Sequence, residues 1–186
     1  MTNNPYQAPS SDVSQAGTRE TYQPRIFAAK GRIGRLRYLA YTLVTYVFLI
    51  PGGIVAALGV PDPSGEPSGL FMIGTLLLGI GYIASIVYMF ILLKRRFNDL
   101  DKSGWFSLLI LIPLVNFFII LWLVFGKGTD TSNRFGAIPN DNPFSVKFFG
   151  LLLPILMVVG GILAAIAIPA YQDYLIRAQE VQGISE

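Results

Sequence analysis

Four long apolar runs constrain the fold of this chain more than any other feature of its sequence. They cover residues 38–60, 69–93, 105–125 and 148–168. The first two reach or exceed the roughly 20 residues that a helix needs to cross a hydrocarbon core. The chain is 53% hydrophobic and only 13% charged, a balance that is unusual for a soluble domain. The sequence therefore predicts an all-α, polytopic integral membrane protein.

Several residue types that enzymes depend on are missing. The chain contains no Cys and no His, which excludes disulfides, thiolate nucleophiles, imidazole bases and the commonest transition-metal ligands. The apolar runs contain no Asp or Glu, so they lack the buried carboxylates of proton relays and coupled-ion sites. The Lys and Arg cluster beside the apolar runs instead of forming the broad basic face of a nucleic-acid binder. We therefore expect no enzymatic activity, no cofactor, no metal and no nucleic-acid partner.

The polar segments around the first two runs predict the orientation of the chain. Residues 1–24 are rich in Pro, Ser, Gln and Asn and have too few apolar residues for a core, so we predict a disordered tail. Residues 25–37 are strongly basic, whereas the loop 61–68 contains no Lys or Arg. The positive-inside rule then places the N-terminus in the cytoplasm and the loop 61–68 outside.

The third run, 105–125, has Pro113 and Asn116 at its centre and allows two arrangements. It either re-enters the membrane as a helical hairpin and returns to the same side, or it crosses fully as a fourth span. The hairpin leaves only Arg177 outside among the Lys and Arg, whereas a full crossing moves three others there. Those three are Lys127, Arg134 and Lys147. Because the positive-inside rule favours the hairpin, we predict three transmembrane helices plus one re-entrant hairpin.

Three segments within 31–139 carry a family pattern. They read GRIGRLRYL (31–39), KRRFNDLDKSGWFSLLILIP (94–113) and GKGTDTSNRFGAIP (126–139). This part of the chain resembles the domain-of-unknown-function 805 family of small bacterial inner-membrane proteins. Thr131 and Ile138 depart from the family pattern, where a glycine and an aspartate are usual. The resemblance implies a helical inner-membrane protein and brings no biochemical activity with it.

The charged block after the second run predicts a polar cluster at the membrane interface. Its members, with two loop residues that we expect to fold back onto it, are Arg95, Arg96, Asp99, Lys102, Trp105, Asn133 and Arg134. Asp99 lies four residues after Arg95, a spacing that allows an ion pair on a helix surface. We favour a structural clamp. In the alternative, the basic residues of the block hold a lipid phosphate or an acidic partner and Trp105 anchors at the headgroup level.

The last apolar run carries a second resemblance. The segment GILAAIAIPAYQDYLIRAQ (161–179) is similar to the N-terminal helix of type IV pilins. That helix leads outward from the cytoplasm in pilins, so the resemblance implies a periplasmic C-terminus, in agreement with the charge distribution. Lys147 and Leu152 replace the glycine before the cleavage site and the glutamate of a prepilin, and Pro154 is foreign to the pattern. We therefore expect neither processing nor ordinary incorporation into a filament.

A stripe of small residues runs along the same helix. The stripe, with the proline where the helix leaves the apolar core, comprises Gly160, Gly161, Ala164, Ala165 and Pro169. Small residues three and four positions apart let another helix approach closely. We interpret the stripe as a helix–helix interface with a type IV pilin, the pilus assembly platform or a second copy of this chain. Packing within the protein's own bundle is the alternative.

These patterns divide the chain into three parts. A disordered cytoplasmic tail (1–24) precedes a helical membrane domain (25–139), and a pilin-like transmembrane helix with a short amphipathic tail follows (140–186). We expect a bacterial inner-membrane accessory or interaction protein for type IV pilins or their assembly machinery. A structural or lipid-binding membrane protein is an alternative. A small transporter or channel is a second, and it would need a polar cavity near Asn116.

Overall fold

The computed structural model describes residues 20–60 and 65–184. Most of the predicted disordered tail and the first half of the loop 61–68 therefore lie outside the described residues. The elements in chain order are β1 (Thr21–Tyr22), α1 (Arg35–Thr42), α2 (Val44–Val47), α3 (Ile50–Leu58), α4 (Gly69–Asp99), a 3₁₀ helix η1 (Gly104–Leu111), α5 (Val115–Phe125), β2 (Ile138–Pro139) and α6 (Phe144–Ile184).

The first apolar run folds as three consecutive helical pieces, α1 to α3, instead of one unbroken helix. Local side-chain chemistry accounts for the breaks. The Thr42 and Thr45 hydroxyls donate to the carbonyls of Tyr38 and Thr42, which perturbs the regular helix at this point. Pro51 stands in the first turn of α3, where its missing N–H costs least.

Helices α3 and α4 form an antiparallel pair whose backbones lie in close contact. A Cβ atom on Gly74 would overlap the backbone of Ala56, and one on Gly81 would overlap the carbonyl of Phe48. Gly79, in contrast, has open space around it. The Ser68 hydroxyl caps the start of α4 by accepting from the N–H of Phe71 at 3.1 Å. Glycine thus sets the contact between these two helices at defined positions.

The third apolar run consists of two short helical segments, η1 and α5, that pack against each other. The chain reverses at Leu114, which has a left-handed φ of 67° and directly follows Pro113. Both ends of the run return to the C-terminal end of α4. Gly104 lies against the Lys94 side chain, and the carbonyl of Gly126 accepts from Arg96 at 2.5 Å. The run is therefore a helical hairpin, and its re-entry into the membrane stays a prediction.

Helix α4 separates two hydrophobic clusters. The first lies towards α1 and α6 and contains Ile33, Ala40, Tyr41, Tyr88, Leu92 and Val146. The second lies towards the η1–α5 hairpin and contains Leu93, Phe97, Leu100, Ile119 and Leu123. Because α4 contributes to both clusters, it is the central element of the fold.

The segments before α1 and after α5 are tied together next to the end of α4. Strand β1 pairs in parallel with β2, with Thr21 opposite Ile138. Thr21 and Tyr22 belong to the predicted tail, so their ordered pairing corrects the prediction of disorder for this part of 1–24. The Tyr22 hydroxyl contacts the backbone of Arg32, and Gly31, with φ of 89°, lies against the Tyr22 ring.

Helix α6 is 41 residues long, and among the described residues its contacts with other elements lie near its start. A Cβ on Gly150 would overlap the backbone of Leu36, which brings α6 close to α1. From residue 155 to residue 177 every position is exposed. Pro154 and Pro169 both lie inside the helix.

Three helical segments are long and apolar enough to cross a membrane: Arg35–Leu58, Gly69–Asp99 and Phe144–Gln179. Helix α5 is a shorter apolar helix. The prediction of an all-α polytopic fold with three long apolar helices is therefore confirmed. The two-residue strands β1 and β2 are a small addition to it.

Candidate functional site at the C-terminal end of helix α4

The last turn of α4 presents an arginine and a carboxylate to the protein interior. Arg96 and Asp99 are three residues apart, so they lie on the same face of the helix. Arg96 Nη1 lies 2.6 Å from Asp99 Oδ2, and Arg96 also donates to the carbonyls of Leu123 and Gly126. Each nitrogen of this guanidinium therefore has an acceptor in the protein.

A second arginine reaches the same carboxylate from the segment before α1. Arg32 Nη2 lies 3.2 Å from Asp99 Oδ1. Arg32 Nε donates to the same oxygen, and the two Nη atoms also donate to the carbonyls of Thr129, Thr131 and Gly136 in the loop that follows α5. Arg32 thereby connects three distant parts of the chain.

The loop after α5 closes over Asp99. The N–H of Thr129 donates to the backbone carbonyl of Asp99 at 2.9 Å, and Asn133 Nδ2 donates to the carbonyl of Asn98 at 2.8 Å. Gly128 lies so close to the Asp99 carboxylate that a Cβ there would overlap it. Glycine at 128 is thus a steric requirement of the site.

We call Arg32, Arg96, Asp99 and Asn133 the polar cluster. Arg32 and Arg96 are 0% exposed and Asp99 is 4% exposed. Burying a charge is costly unless it is paired and hydrogen-bonded. Here one carboxylate and several backbone carbonyls satisfy two guanidinium groups. The arrangement supports the clamp interpretation, since it leaves no nitrogen of Arg96 free for a lipid phosphate.

Arg95 contacts the segment before α1 instead of the Asp99 carboxylate. It is 0% exposed, and its Nη1 donates to the carbonyl of Arg25 at 3.0 Å. The predicted ion pair between Arg95 and Asp99 was therefore wrong, because the neighbouring residue, Arg96, takes that place at i,i+3 spacing. Arg37, in α1, is also buried, and its Nη2 donates to the Asn140 side chain and the Asp141 carbonyl.

The remaining predicted site residues lie at the exposed rim. Lys102 is exposed, and Trp105 is 79% exposed at the start of η1. Arg134 pairs with Asp101 at 3.3 Å, with both side chains well exposed, and stacks over the ring of Phe135. Such a surface ion pair contributes little to stability. The predicted group is thus divided between a buried cluster and a solvent-accessible rim.

Sequence reasoning missed several buried polar residues, among them Arg32, Arg37 and Asn98. The first two belong to the basic stretch 25–37, which carries five positive charges that look alike in the sequence. The sequence contains one weak signal, since Arg32 directly precedes the apolar residue Ile33. The structure buries Ile33 fully.

The small-residue stripe of α6 stands apart from the polar cluster. Gly160 and Gly161 have no atom of the described residues within 4 Å of a Cβ built on them. Gly160, Gly161, Ala164, Ala165 and Pro169 are all exposed. The alternative that the stripe packs within the protein's own bundle is therefore not what the structure displays.

The described residues offer no metal site. Within 20–60 and 65–184, no group of three or more His, Cys, Asp or Glu side chains is placed to hold a metal ion. The polar cluster contains a single carboxylate whose two oxygens accept hydrogen bonds from arginine. Its chemistry is that of a structural ion-pair network.

A helical fold with three potential spans, joined by a buried ion-pair network at one end, defines a polytopic helical membrane protein. The sequence profile of the family described as "Protein of unknown function (DUF805)" matches residues 26–137. The chain belongs to this family, in agreement with the resemblance of 31–139.

Curated relatives share the same region. The inner membrane protein YhaH of Escherichia coli strain K12 is 31% identical over 115 residues, which are 61% of this chain and 88% of YhaH. The inner membrane protein YhaI of the same strain is 30% identical over 113 residues, or 59% of this chain and 86% of YhaI. No solved structure gives a significant match to the chain.

These similarities support a location in the bacterial inner membrane. The relatives are named as inner membrane proteins and carry no enzymatic name. The family match ends at residue 137, before α6 begins. The resemblance of 161–179 to type IV pilins and the orientation of the termini therefore remain predictions.

Proposed function

We propose that this protein is a non-enzymatic accessory of the inner membrane whose helix α6 binds other membrane helices, namely type IV pilins or the machinery that assembles them. One observation carries the proposal. Every residue of α6 from 155 to 177 is exposed, although much of this stretch is apolar. Among the described residues, α6 is held near its start, at Val146 and Gly150. The exposed part of the helix is therefore accessible to partner helices within the bilayer.

The base of α6 is firmly attached to the family domain. Val146 lies in the first hydrophobic cluster, and Gly150 contacts the backbone of Leu36. Arg37 holds Asn140 and Asp141 directly before the helix begins. This attachment supports a role as a stationary arm, because α6 is tethered to the other spans.

The surface of α6 suits close helix packing. Gly160 and Gly161 are open to approach, and Ala164 and Ala165 continue the stripe one turn later. In lipid, helices associate through tight van der Waals contact, and small residues permit it. The similarity of 161–179 to the pilin helix suggests a pilin, or a protein that itself binds pilins, as the partner.

The proposed orientation follows from charge. Both ends of the η1–α5 hairpin lie at the C-terminal end of α4, next to the basic segment that precedes α1. The positive-inside rule assigns this basic end to the cytoplasm. Helix α6 starts at the same end, so its apolar run then leads to a periplasmic C-terminus.

Co-purification from native membranes tests the proposal. The tagged full-length protein should capture major pilin, and replacing Gly161 and Ala165 together with Leu should remove most of the captured pilin. The matched control replaces Ile162 and Ile166 with Leu, which changes neighbouring positions with little change of volume. Equal capture by both double variants, or unchanged piliation after deletion of the gene, would contradict the proposal.

A structural or lipid-binding role is the second candidate. The hydrogen bonds of the polar cluster favour the structural role, since the cluster joins parts of the family domain without using α6. In that case α6 is a fused anchor, and the Gly161 and Ala165 substitutions leave the membrane partners of the protein unchanged.

A further inference from the structure

A crevice of about 880 Å³ lies between helix α4 and the 3₁₀ helix η1. Its walls are Val87, Phe90 and Ile91 on α4 and Leu108 on η1, and its mouth is bordered by Trp105. The crevice opens beside the end of α4 where the basic residues gather. It thus extends from the apolar zone of α4 towards the predicted cytoplasmic interface.

The end of the crevice near the C-terminal end of α4 is cationic. Lys30 and Lys94 both line it, and both are exposed. Neither lysine takes part in the ion pairs formed among residues 20–60 and 65–184. Gly104 makes room for the aliphatic part of Lys94, since a Cβ there would lie 2.5 Å from Lys94 Cγ. Two lysines therefore line an apolar crevice, and no carboxylate of the described residues forms an ion pair with either of them.

A buried hydrogen-bond acceptor completes this end of the crevice. Asn98 lines it and is only 4% exposed. Its Nδ2 donates to the carbonyl of Gly31, while its Oδ1 has no hydrogen-bond partner among the described residues. Buried polar atoms are nearly always satisfied, so this oxygen is suited to a ligand that brings a donor.

We propose that the crevice binds one acidic glycerophospholipid with a hydroxylated headgroup, of the phosphatidylglycerol type. The phosphate lies between Lys30 and Lys94, and a headgroup hydroxyl donates to Asn98 Oδ1. An acyl chain follows the apolar wall formed by Phe90 and Leu108. The charge of the lysines, the free acceptor and the shape of the slot each match one part of this lipid.

This site differs from the polar cluster. The arginines of the polar cluster donate to backbone carbonyls and to the Asp99 carboxylate. The lysines of the crevice have no ion-pair partner among the described residues. The proposal is also independent of α6, because no residue of α6 lines the crevice.

Native mass spectrometry of the full-length protein in detergent micelles tests the proposal. Micelles are mixed with phosphatidylglycerol, phosphatidylmethanol or phosphatidylcholine of identical acyl chains. We expect one retained phosphatidylglycerol per chain, weaker retention of phosphatidylmethanol, which has the charge but no hydroxyl, and the weakest retention of phosphatidylcholine. Soluble glycerol phosphate should not displace the lipid, which separates a lipid site from a phosphate site.

Substitutions in the lysines locate the site. Lys30→Gln and Lys94→Gln should each weaken phosphatidylglycerol retention about fivefold, as expected for one lysine near an anionic lipid. Lys30→Arg and Lys94→Arg should retain most of it. The matched control is Lys127→Gln, which removes one exposed charge already paired with Asp130.

A folding control accompanies the lysine variants. Because both lysines are exposed, these variants should fold, and unchanged circular dichroism confirms it. Equal retention of phosphatidylglycerol and phosphatidylcholine by the unmodified protein would overturn the proposal. Undiminished phosphatidylglycerol binding by the Lys30→Gln and Lys94→Gln double variant would overturn it as well.

Discussion

At the scale of single residues, Asp99 is the point where three chain segments meet. Its carboxylate pairs with Arg32 from before α1 and with Arg96 from α4, while its backbone carbonyl accepts from the N–H of Thr129. A buried guanidinium tolerates its position only while a carboxylate or other acceptors compensate it. Asp99 is therefore expected to be more important for stability than any exposed charge nearby.

Replacing Asp99 with Asn tests this expectation. The substitution removes the negative charge between two buried arginines and should lower the free energy of unfolding by about 3–5 kcal/mol. Asp101→Asn is the matched control. Asp101 pairs with Arg134 at the surface and has a left-handed φ of 55°, which Asn tolerates, so its loss should cost at most about 1 kcal/mol.

Thermal unfolding of both variants in the same detergent measures the difference. Similar losses for Asp99→Asn and Asp101→Asn would contradict the clamp interpretation of the polar cluster.

Sequence alone could locate Asp99 but not its partners. The block 94–105 attracted attention because charges stand between two apolar runs, and Arg96 and Asp99 do form a buried pair. Helix spacing allows Asp99 to pair either with Arg95 at i,i+4 or with Arg96 at i,i+3. The sequence prediction named Arg95, because spacing alone does not distinguish the two. Arg32 lies 67 residues away in sequence, and no local pattern can reveal such a contact.

At the scale of elements, the apolar runs predicted that helices form, but they did not predict the residues at which the helices end. The second run was expected to span 69–93, and α4 extends to Asp99. The helix continues because its last charged turn is buried by the loop after α5, and it ends where Asp101 adopts a left-handed φ and Lys102 N–H bonds the Phe97 carbonyl. The break of the first run into α1 to α3 was not predicted.

Glycines within α4 provide an element-scale test. Gly74→Ala should destabilise the protein by about 1–3 kcal/mol, because the added methyl overlaps Ala56 across the α3–α4 contact. Gly79→Ala is the matched control in the same helix. Its position is open, so the higher helix propensity of Ala should make the change neutral or stabilising by up to about 1 kcal/mol.

The free energies of unfolding of the two variants in one detergent provide the measurement. A loss of stability at Gly79 equal to that at Gly74 would show that the close contact between α3 and α4 is not what these glycines serve.

At the scale of the whole molecule, the protein combines a compact family domain with a long exposed helix. Residues 26–137 match the family, and the polar cluster holds the ends of this region together. Helix α6 is attached at Val146 and Gly150 and is exposed from residue 155 to residue 177. The sequence patterns divide the chain at residue 140, and that boundary stays a prediction. The strand pairing of Thr21–Tyr22 with Ile138–Pro139 joins distant segments and was not foreseen.

The central claim at this scale is that the hairpin returns to the cytoplasmic side and α6 then leads outward. Because the chain has no Cys, single cysteines can report the side of the membrane on which each position lies. Three positions serve: the exposed Lys102 before the hairpin, the half-buried Asn142 before α6 and the exposed Gln179 near its end.

The most direct measurement is labelling of Lys102→Cys, Asn142→Cys and Gln179→Cys with a membrane-impermeant maleimide in intact spheroplasts and after lysis. We expect Gln179→Cys to react in intact spheroplasts, and Lys102→Cys and Asn142→Cys to react only after lysis. Labelling of Asn142→Cys in intact spheroplasts, with Gln179→Cys protected until lysis, would contradict both the hairpin and the outward course of α6.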